Sequence, residues 1–380
     1  MTLLPLSGLK VLDFSQFLAG PYAALKLADL GAEVVKVEKA GTGDLSRYLY
    51  LTDVKVDGES TIFHAINRNK KSIAVDLKSE TDKDALRELV KGADVILQNF
   101  RPGVIERLGF GYEDVKAINP KIVYGSVTGY GDEGPWVNLP GQDLLAQARS
   151  GVMWLTGSAK DGPVAVGLPI ADVLAGAALA HGILALLFRR ERHGIGGHTE
   201  TSLVEVLADL QFEVLTTWFN DGNRPPQRSS QNPAHAYLAA PYGIYQTADG
   251  HMAIAMGKLE LLAELTGLAP EIAALDAFVE RDRIKKALAD RLATDSTTVW
   301  QQKFEAADIW AAPVMDWQDI GQSGILQTLD MTQDIHRNGL TMKTTRLPFK
   351  IDGRRPSSDL AAPELGGAND LLSNGWTQSG

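Results

Sequence analysis

Residues 9–39 read LKVLDFSQFLAGPYAALKLADLGAEVVKVEK. The run LKVLDF is apolar over the length of a strand, AGPYAALKLADLG returns apolar residues at helical spacing and closes on Gly31, and AEVVKVEK is a second strand-like run. The three pieces predict a β-α-β unit. The same alternation continues through KSIAVDLK (71–78), the helix-like ETDKDALRELVKG (80–92), ADVILQNF (93–100), the helix-like GVIERLGFGYEDVKAI (103–118) and KIVYGSVTGYG (121–131). Strands this continuously apolar, separated by helices, belong to an α/β fold with a parallel sheet covered on both faces. Such sheets bind ligands at the carboxyl ends of their strands.

Beyond this region the polar turn RRERHGIGGH (189–198) leads into TETSLVEVLADLQFEVLTTWF (199–219), read as one long amphipathic helix. The loop PPQRSSQNPAH (225–235), a hairpin-like APYGIYQTADGHMAIAMG (240–257) with an Asp-Gly turn, and a mainly helical 257–310 follow. These predict a large domain over 1–222 and 325–380 and a smaller α+β domain over 223–324. The Pro- and Gly-rich tail from Gly339 is expected to wrap over another surface.

The chain has 380 residues, 44% hydrophobic and 22% charged, with a formal net charge of −10 and no cysteine. An acidic balance argues against non-specific nucleic-acid binding, which needs a cationic field. Thiolate nucleophiles, disulfides and cysteine-ligated metals are excluded, and any thiol chemistry must arrive on a ligand. The start MTLLPLSGLK lacks the pattern of an export signal. Val173–Phe188, the most apolar run, falls short of the roughly 20 residues of a membrane span and reads as a buried helix. The expectation is a cytoplasmic protein that takes a small-molecule substrate, with no membrane and no nucleic-acid partner.

Glu38 ends the second strand where a ribose-binding acid would stand, but the preceding turn is SQFLAGP, without G-x-G-x-x-G, which argues against nicotinamide binding. The seven histidines have no metal-ligand spacing, and no G-x-S-x-G occurs. Arg68, Lys70, Lys71, Lys78 and Lys39 cluster near predicted strand ends, and Arg101 and Arg107 stand six residues apart at a helix start. Together they suit a polyphosphate. In GLPIADVLAGAALAHG (167–182), Asp172 is one carboxylate in an apolar run. It is read either as the N-cap of its helix or as a nucleophile kept ionised by the helix dipole.

These blocks together resemble the class III CoA-transferases, the family of formyl-CoA and carnitine CoA-transferases, which shares its fold with α-methylacyl-CoA racemase. The likeness spans SQFLAGPYAALKLADLGAEVVKVEKAGTGDLSR, NRNKKSIAVDLK, NFRPGVIERLGFGYEDV, SVTGYGDEGPW, GLPIADVLAGAALAHGILALLFRRERHGIGG, APYGIYQTADG, AAPVMDW and LPFKIDG, in that order. It implies a Rossmann-like large domain, a smaller second domain and an interlocked homodimer. It makes Asp172 the nucleophile of an acyl-CoA-dependent transfer that runs through an aspartyl anhydride and a β-aspartyl-CoA thioester. It implies coenzyme A contacts at Gln16, Lys39, Val75 (through its backbone), Lys78, Asn99, Phe100, Arg101 and Arg107, with no metal. Gln142 stands where racemases carry a histidine, and an amide cannot shuttle an α-proton, so racemization is the lesser alternative. Leu18 replaces a polar residue of formyl-CoA transferase and no Gly cluster occurs between 225 and 260, which argues against oxalate and formate as substrates.

Overall fold

The computed structural model describes residues 4–49 and 53–376; residues 1–3 and 377–380, the outer ends of the large-domain assignment, lie outside them. Two compact units emerge: Met1–Ala146, Pro169–Leu207 and Ile325–Gly380 form the first, and Gln147–Leu168 with Ala208–Gly324 the second. Residues 147–168 and 208–222, assigned from the sequence to the large domain, therefore group with the second unit. No composition break marks these crossings because two of them fall inside continuous helices, Asp143–Ser150 and Leu203–Leu210.

The first unit is built on six parallel strands, β1 (Lys10–Asp13), β2 (Glu33–Lys39), β3 (Lys71–Val75), β4 (Val95–Gln98), β5 (Val123–Thr128) and β6 (Gly197–Ser202). Their order is β3-β2-β1-β4-β5-β6. The winding reverses between β1 and β4, where a doubly wound sheet opens a crevice at its carboxyl edge. The sixth strand departs from the sequence expectation, which divides GHTETS between a turn and a helix. Its polar, Thr-rich edge position hides the apolar run by which the inner strands are recognised.

Both faces are buried, as the pleat requires. Val11, Val34, Val95, Leu97, Val123 and Val127 pack on one side with α1 (Ala19–Asp29). Leu12, Val35, Val37, Ile73, Ile96 and Tyr124 pack on the other. Between strands the chain forms α2 (Thr61–Asn67), α3 (Glu80–Lys91), α4 (Val104–Arg107) and α5 (Tyr112–Ile118). The last two were expected as one helix; Gly109, at φ 81°, separates them. After β5 come α6 (Asp143–Ser150) and α7 (Ile170–His193).

At 24 residues, with a strongly apolar 18-residue stretch, α7 is long and apolar enough to cross a membrane by length and composition. Here Ala171, Ala175, Leu179, Ile183 and Leu187, spaced by four, form a buried stripe in the core with α1 and the sheet.

In the second unit β7 (Gly243–Gln246) and β8 (His251–Ile254) pair as the expected antiparallel hairpin, and β9 (Ala311–Pro313) adds to β8. Tyr245, Met252, Leu262, Ile284, Leu288, Trp300 and Phe304 form its core.

The tail covers the open edge of the six-stranded sheet. Ala368 N donates to Ser72 O (2.8 Å) and Ala74 N to Asn369 Oδ1 (2.7 Å), which pairs backbone groups of β3 that an edge strand otherwise exposes.

The cations just before and at the start of β3 are paired within the fold, the first two of them in buried pairs. Arg68 grips Asp29 through both carboxylate oxygens (2.6 and 2.7 Å), Lys70 meets Asp13 (3.0 Å) and Lys71 meets Glu33 (2.6 Å). Three cations of the suspected polyphosphate cluster are thus already neutralised within the fold. Burial pushes Lys70 down to about 8 against the pull of Asp13. Since Arg68 and Asp29 are only 2% and 5% exposed, Arg68→Ala strands a buried carboxylate and is expected to cost about 3–5 kcal/mol in chemical denaturation. A loss confined to substrate affinity, with stability unchanged, would restore Arg68 to the ligand set.

Candidate active site

Four crossing segments define the carboxyl edge of the first unit. After β1 the chain turns through Gln16 and Phe17 into α1. Phe17 takes a left-handed φ of 64°, unusual for a bulky residue, and its ring is 45% exposed. The turn is held from two sides. Asn99, just past β4, accepts from Gln16 N (2.8 Å) and donates to Gln16 O (2.7 Å), and Asp44 Oδ1 accepts from Phe17 N (3.3 Å). Phe100 N in turn donates to Gln98 Oε1 (2.7 Å). Val75 ends β3, and its carbonyl accepts from Ala40 N (2.9 Å), just past Lys39 at the end of β2. Gln16, Lys39, Val75, Lys78, Asn99, Phe100 and Arg101 therefore lie along the carboxyl edge of four adjacent strands, β3-β2-β1-β4.

Lys39, Lys78, Arg101 and Arg107 are exposed and form no ion pair among the described residues. They differ in this from Arg68, Lys70 and Lys71. Arg107, the last residue of α4, folds back over Gly103, so that a Cβ there would lie 3.0 Å from Nη1. With four residues α4 is too short to supply a helix-dipole anion site, so any anion binding here rests on side chains. Glu38 does not face this edge. It is buried against Arg47 (2.6 Å) and Ser72 (2.6 Å) and accepts from Asp44 N (2.8 Å), which removes it as a ribose ligand. Burial alone would raise its carboxyl; the Arg47 hydrogen bonds and the Lys36 and Arg47 charges hold it below the usual range.

Asp172 sits in the first turn of α7, third residue of the helix, with Pro169 at the N-cap. It does not cap. The helix's free N–H groups are taken by Asp143, whose Oδ2 accepts from Ala171 N (2.7 Å) and Asp172 N (3.1 Å). Asp172's own oxygens accept no hydrogen bond from any described residue. One turn along, Gly176 abuts α1 so closely that a Cβ would stand 2.5 Å from Ala19 O. That contact brings the first turn of α7 to the start of α1, next to the Gln16–Phe17 turn.

Gln142 precedes Asp143, is exposed, and its carbonyl accepts from Ala146 N (2.9 Å) as α6 begins. Its position is fixed by another close approach: a Cβ on Gly141 would lie 2.6 Å from the Cα of Gly129, beyond the end of β5. At the other end of α6, Gln147 accepts from Val166 N (2.9 Å) and donates to Leu168 O (3.3 Å), closing the base of the 147–168 excursion that returns to Asp172. Asp143 and the two glycines were missed from the sequence. The trace available was Asp143's place beside Gln142.

Burial first, and the Asp143 charge second, push the Asp172 carboxyl up to about 7. The expected carboxylate, kept ionised at neutral pH by the helix dipole, is corrected: burial, and after it the Asp143 charge, outweigh the helix start. Activity that needs ionised Asp172 should fall about tenfold per pH unit below about 7 on kcat/KM. Stability moves the other way. The folded pKa lies above the unfolded value of 3.8, so ionising Asp172 costs folding free energy as pH rises between them, and the cost persists above about 7. Asp172→Asn should therefore be more stable than wild type at pH 8, by about 1–2 kcal/mol after discounting for partial exposure, and equal to it near pH 4. Thermal melts at the two pH values check this; a variant less stable at both contradicts it.

Among the described residues no group of three or more metal-ligating side chains occurs. The sequence profile of CoA-transferase family III matches residues 6–369. The chain is 34% identical over 375 residues to the acetyl-CoA:oxalate CoA-transferase of Acetobacter aceti, covering 95% of this chain and 93% of that protein. It is 34% identical over 376 residues to the succinyl-CoA:mesaconate CoA-transferase of Haloarcula hispanica, with coverage of 95% and 93%. The structure superposes on that of a CaiB/BaiF family protein from Brucella suis with a TM-score of 0.83 at 28% identity, covering 98% of this chain and 99% of that one.

Proposed function

Since the chain belongs to CoA-transferase family III, we propose that it moves coenzyme A from an acyl-CoA to a carboxylic acid, with Asp172 as the covalent carrier. The observation that carries this reading is a carboxylate with both oxygens unbonded, placed beside a turn on the same strand edge as the exposed, unpaired Lys39, Lys78 and Arg101. Lys39, Lys78, Arg101 and Arg107 would hold the phosphates, Val75 the adenine end through its backbone, and Gln16, Asn99 and Phe100 the remaining length of coenzyme A.

An Asp172 oxygen attacks the donor thioester carbonyl; the C–O bond forms, the C–S bond breaks, and the thiolate, a weak base of pKa about 8.5, leaves. The thiolate then attacks the aspartyl carbonyl of the mixed anhydride, forming a β-aspartyl-CoA thioester and expelling the donor acid. An acceptor carboxylate attacks that thioester, and the released thiolate attacks the acceptor's side of the new anhydride. A new acyl-CoA forms and Asp172 is regenerated. One thioester is broken and one made, with no proton transferred, so the chemistry asks for exclusion of water rather than for an acid or base. Gln142, an amide beside this carboxylate, suits hydrogen bonding to a substrate carboxylate and has no proton to exchange at an α-carbon.

The two relatives are named for oxalate and mesaconate, both dicarboxylic acids, and a small dicarboxylic acid is accordingly the acceptor class we propose. Oxalate, set aside on Leu18, returns as a candidate on that relative's name. A second copy of the chain is the proposed partner. Phe188, on α7 and 67% exposed, is an apolar group a homodimer would cover.

The test is trapping. Incubation with acetyl- or succinyl-CoA followed by hydroxylamine should leave a hydroxamate on the peptide containing Asp172. An unmodified peptide with coenzyme A still bound would make the protein a binding module. Screening the donors against small dicarboxylic and hydroxy acids then identifies the pair.

A further inference from the structure

The N-terminus of α7 is capped from outside its own helix, by Asp143, 28 residues before Ala171. Helix starts usually satisfy their free N–H groups with a nearby side chain, and an acidic residue in the first turn is a common choice. Asp172 is the acidic residue there, yet a side chain engaged in that way points its oxygens at its own backbone. Asp143 takes over the task and leaves Asp172 oxygens free to meet a carbonyl carbon.

The replacement has an electrostatic consequence. Asp143 brings a negative charge beside Asp172. Among the described residues it is the one charged group acting on that carboxyl; α1, packed on α7 at Gly176, contributes the uncharged Tyr22 ring. When Asp172 attacks a thioester, its negative charge leaves on the thiolate sulfur and the side chain becomes a neutral anhydride. Repulsion present in the free enzyme is absent from the acylated one.

Resting on the assignment of Asp172 as nucleophile, we propose that Asp143 is a positioning residue of the transfer reaction: it caps α7 in place of Asp172, and its charge favours the acylated, neutral state of that side chain. Gly129 and Gly141, whose backbones touch, set the reach of the loop that delivers it.

The experiment compares wild type, Asp143→Asn and Asp143→Ala in pH–rate profiles, steady-state kinetics and hydroxylamine trapping. The amide oxygen of D143N keeps the acceptor and removes the charge. Its acid limb should move at least half a pH unit lower. The trapped fraction and kcat at pH 8 should fall about fivefold, with KM for acyl-CoA within twofold of wild type. D143A, which also loses the cap, should lose about a further tenfold. Should D143A fail to fold, D143N carries the test alone. A wild-type acid limb and wild-type trapping in D143N, or an effect confined to KM, overturns the proposal. Absence of any hydroxamate in the wild-type enzyme overturns instead the assignment of Asp172 on which it rests.

Discussion

Replacing Asp172 by asparagine or alanine is expected to lower CoA transfer by about a thousandfold or more, equivalent to roughly 4 kcal/mol of transition-state stabilisation. The reason is structural as well as chemical. The Asp172 side chain makes no hydrogen bond that holds the fold, since Asp143 caps α7, so its removal takes away the proposed nucleophile and leaves the helix anchored. Both variants should bind acyl-CoA with affinity near that of wild type and yield no hydroxamate. Transfer at a tenth of the wild-type rate in a folded alanine variant would mean that the acceptor acid attacks the donor directly, and the covalent scheme would fall.

The second large effect lies at the exposed cations. Hydrogen bonds to charged groups contribute about 1.5–3 kcal/mol each, so Arg101→Ala or Arg107→Ala should raise KM for acyl-CoA roughly 10- to 100-fold with kcat little changed. The double variant should lose more, and the salt dependence of binding should weaken with each cation removed. Neither arginine pairs with a described carboxylate, so neither change strands a buried charge, and the melting temperature should stay within a few degrees. This separates the pair from Arg68, whose loss is expected to destabilise the fold by about 3–5 kcal/mol rather than to loosen a ligand. Equal KM values for wild type and the double variant would remove the phosphates from this edge.

The contrast between the two groups of cations shows where sequence reading stops. Arg68, Lys70 and Lys71 looked as suitable for phosphate as Lys39 and Lys78, because spacing along a strand reveals a charge but not its partner. Asp29, Asp13 and Glu33 stand 39, 57 and 38 residues from the cations they neutralise, and only the folded sheet brings them together.

By itself the sequence determined the alternation of strand and helix, the parallel sheet buried on both faces, the hairpin of the second unit and the family to which the chain belongs. Those properties are written locally, in apolar periodicity, turn residues and the order of blocks. The tertiary structure alone decided three further matters: the sixth strand, the discontinuous course of the second unit, and that Asp172 does not cap its own helix. A capping carboxylate and a free one look identical in a run of letters. The difference is made by an oxygen that arrives from 29 residues upstream and takes the N–H of Asp172 for itself.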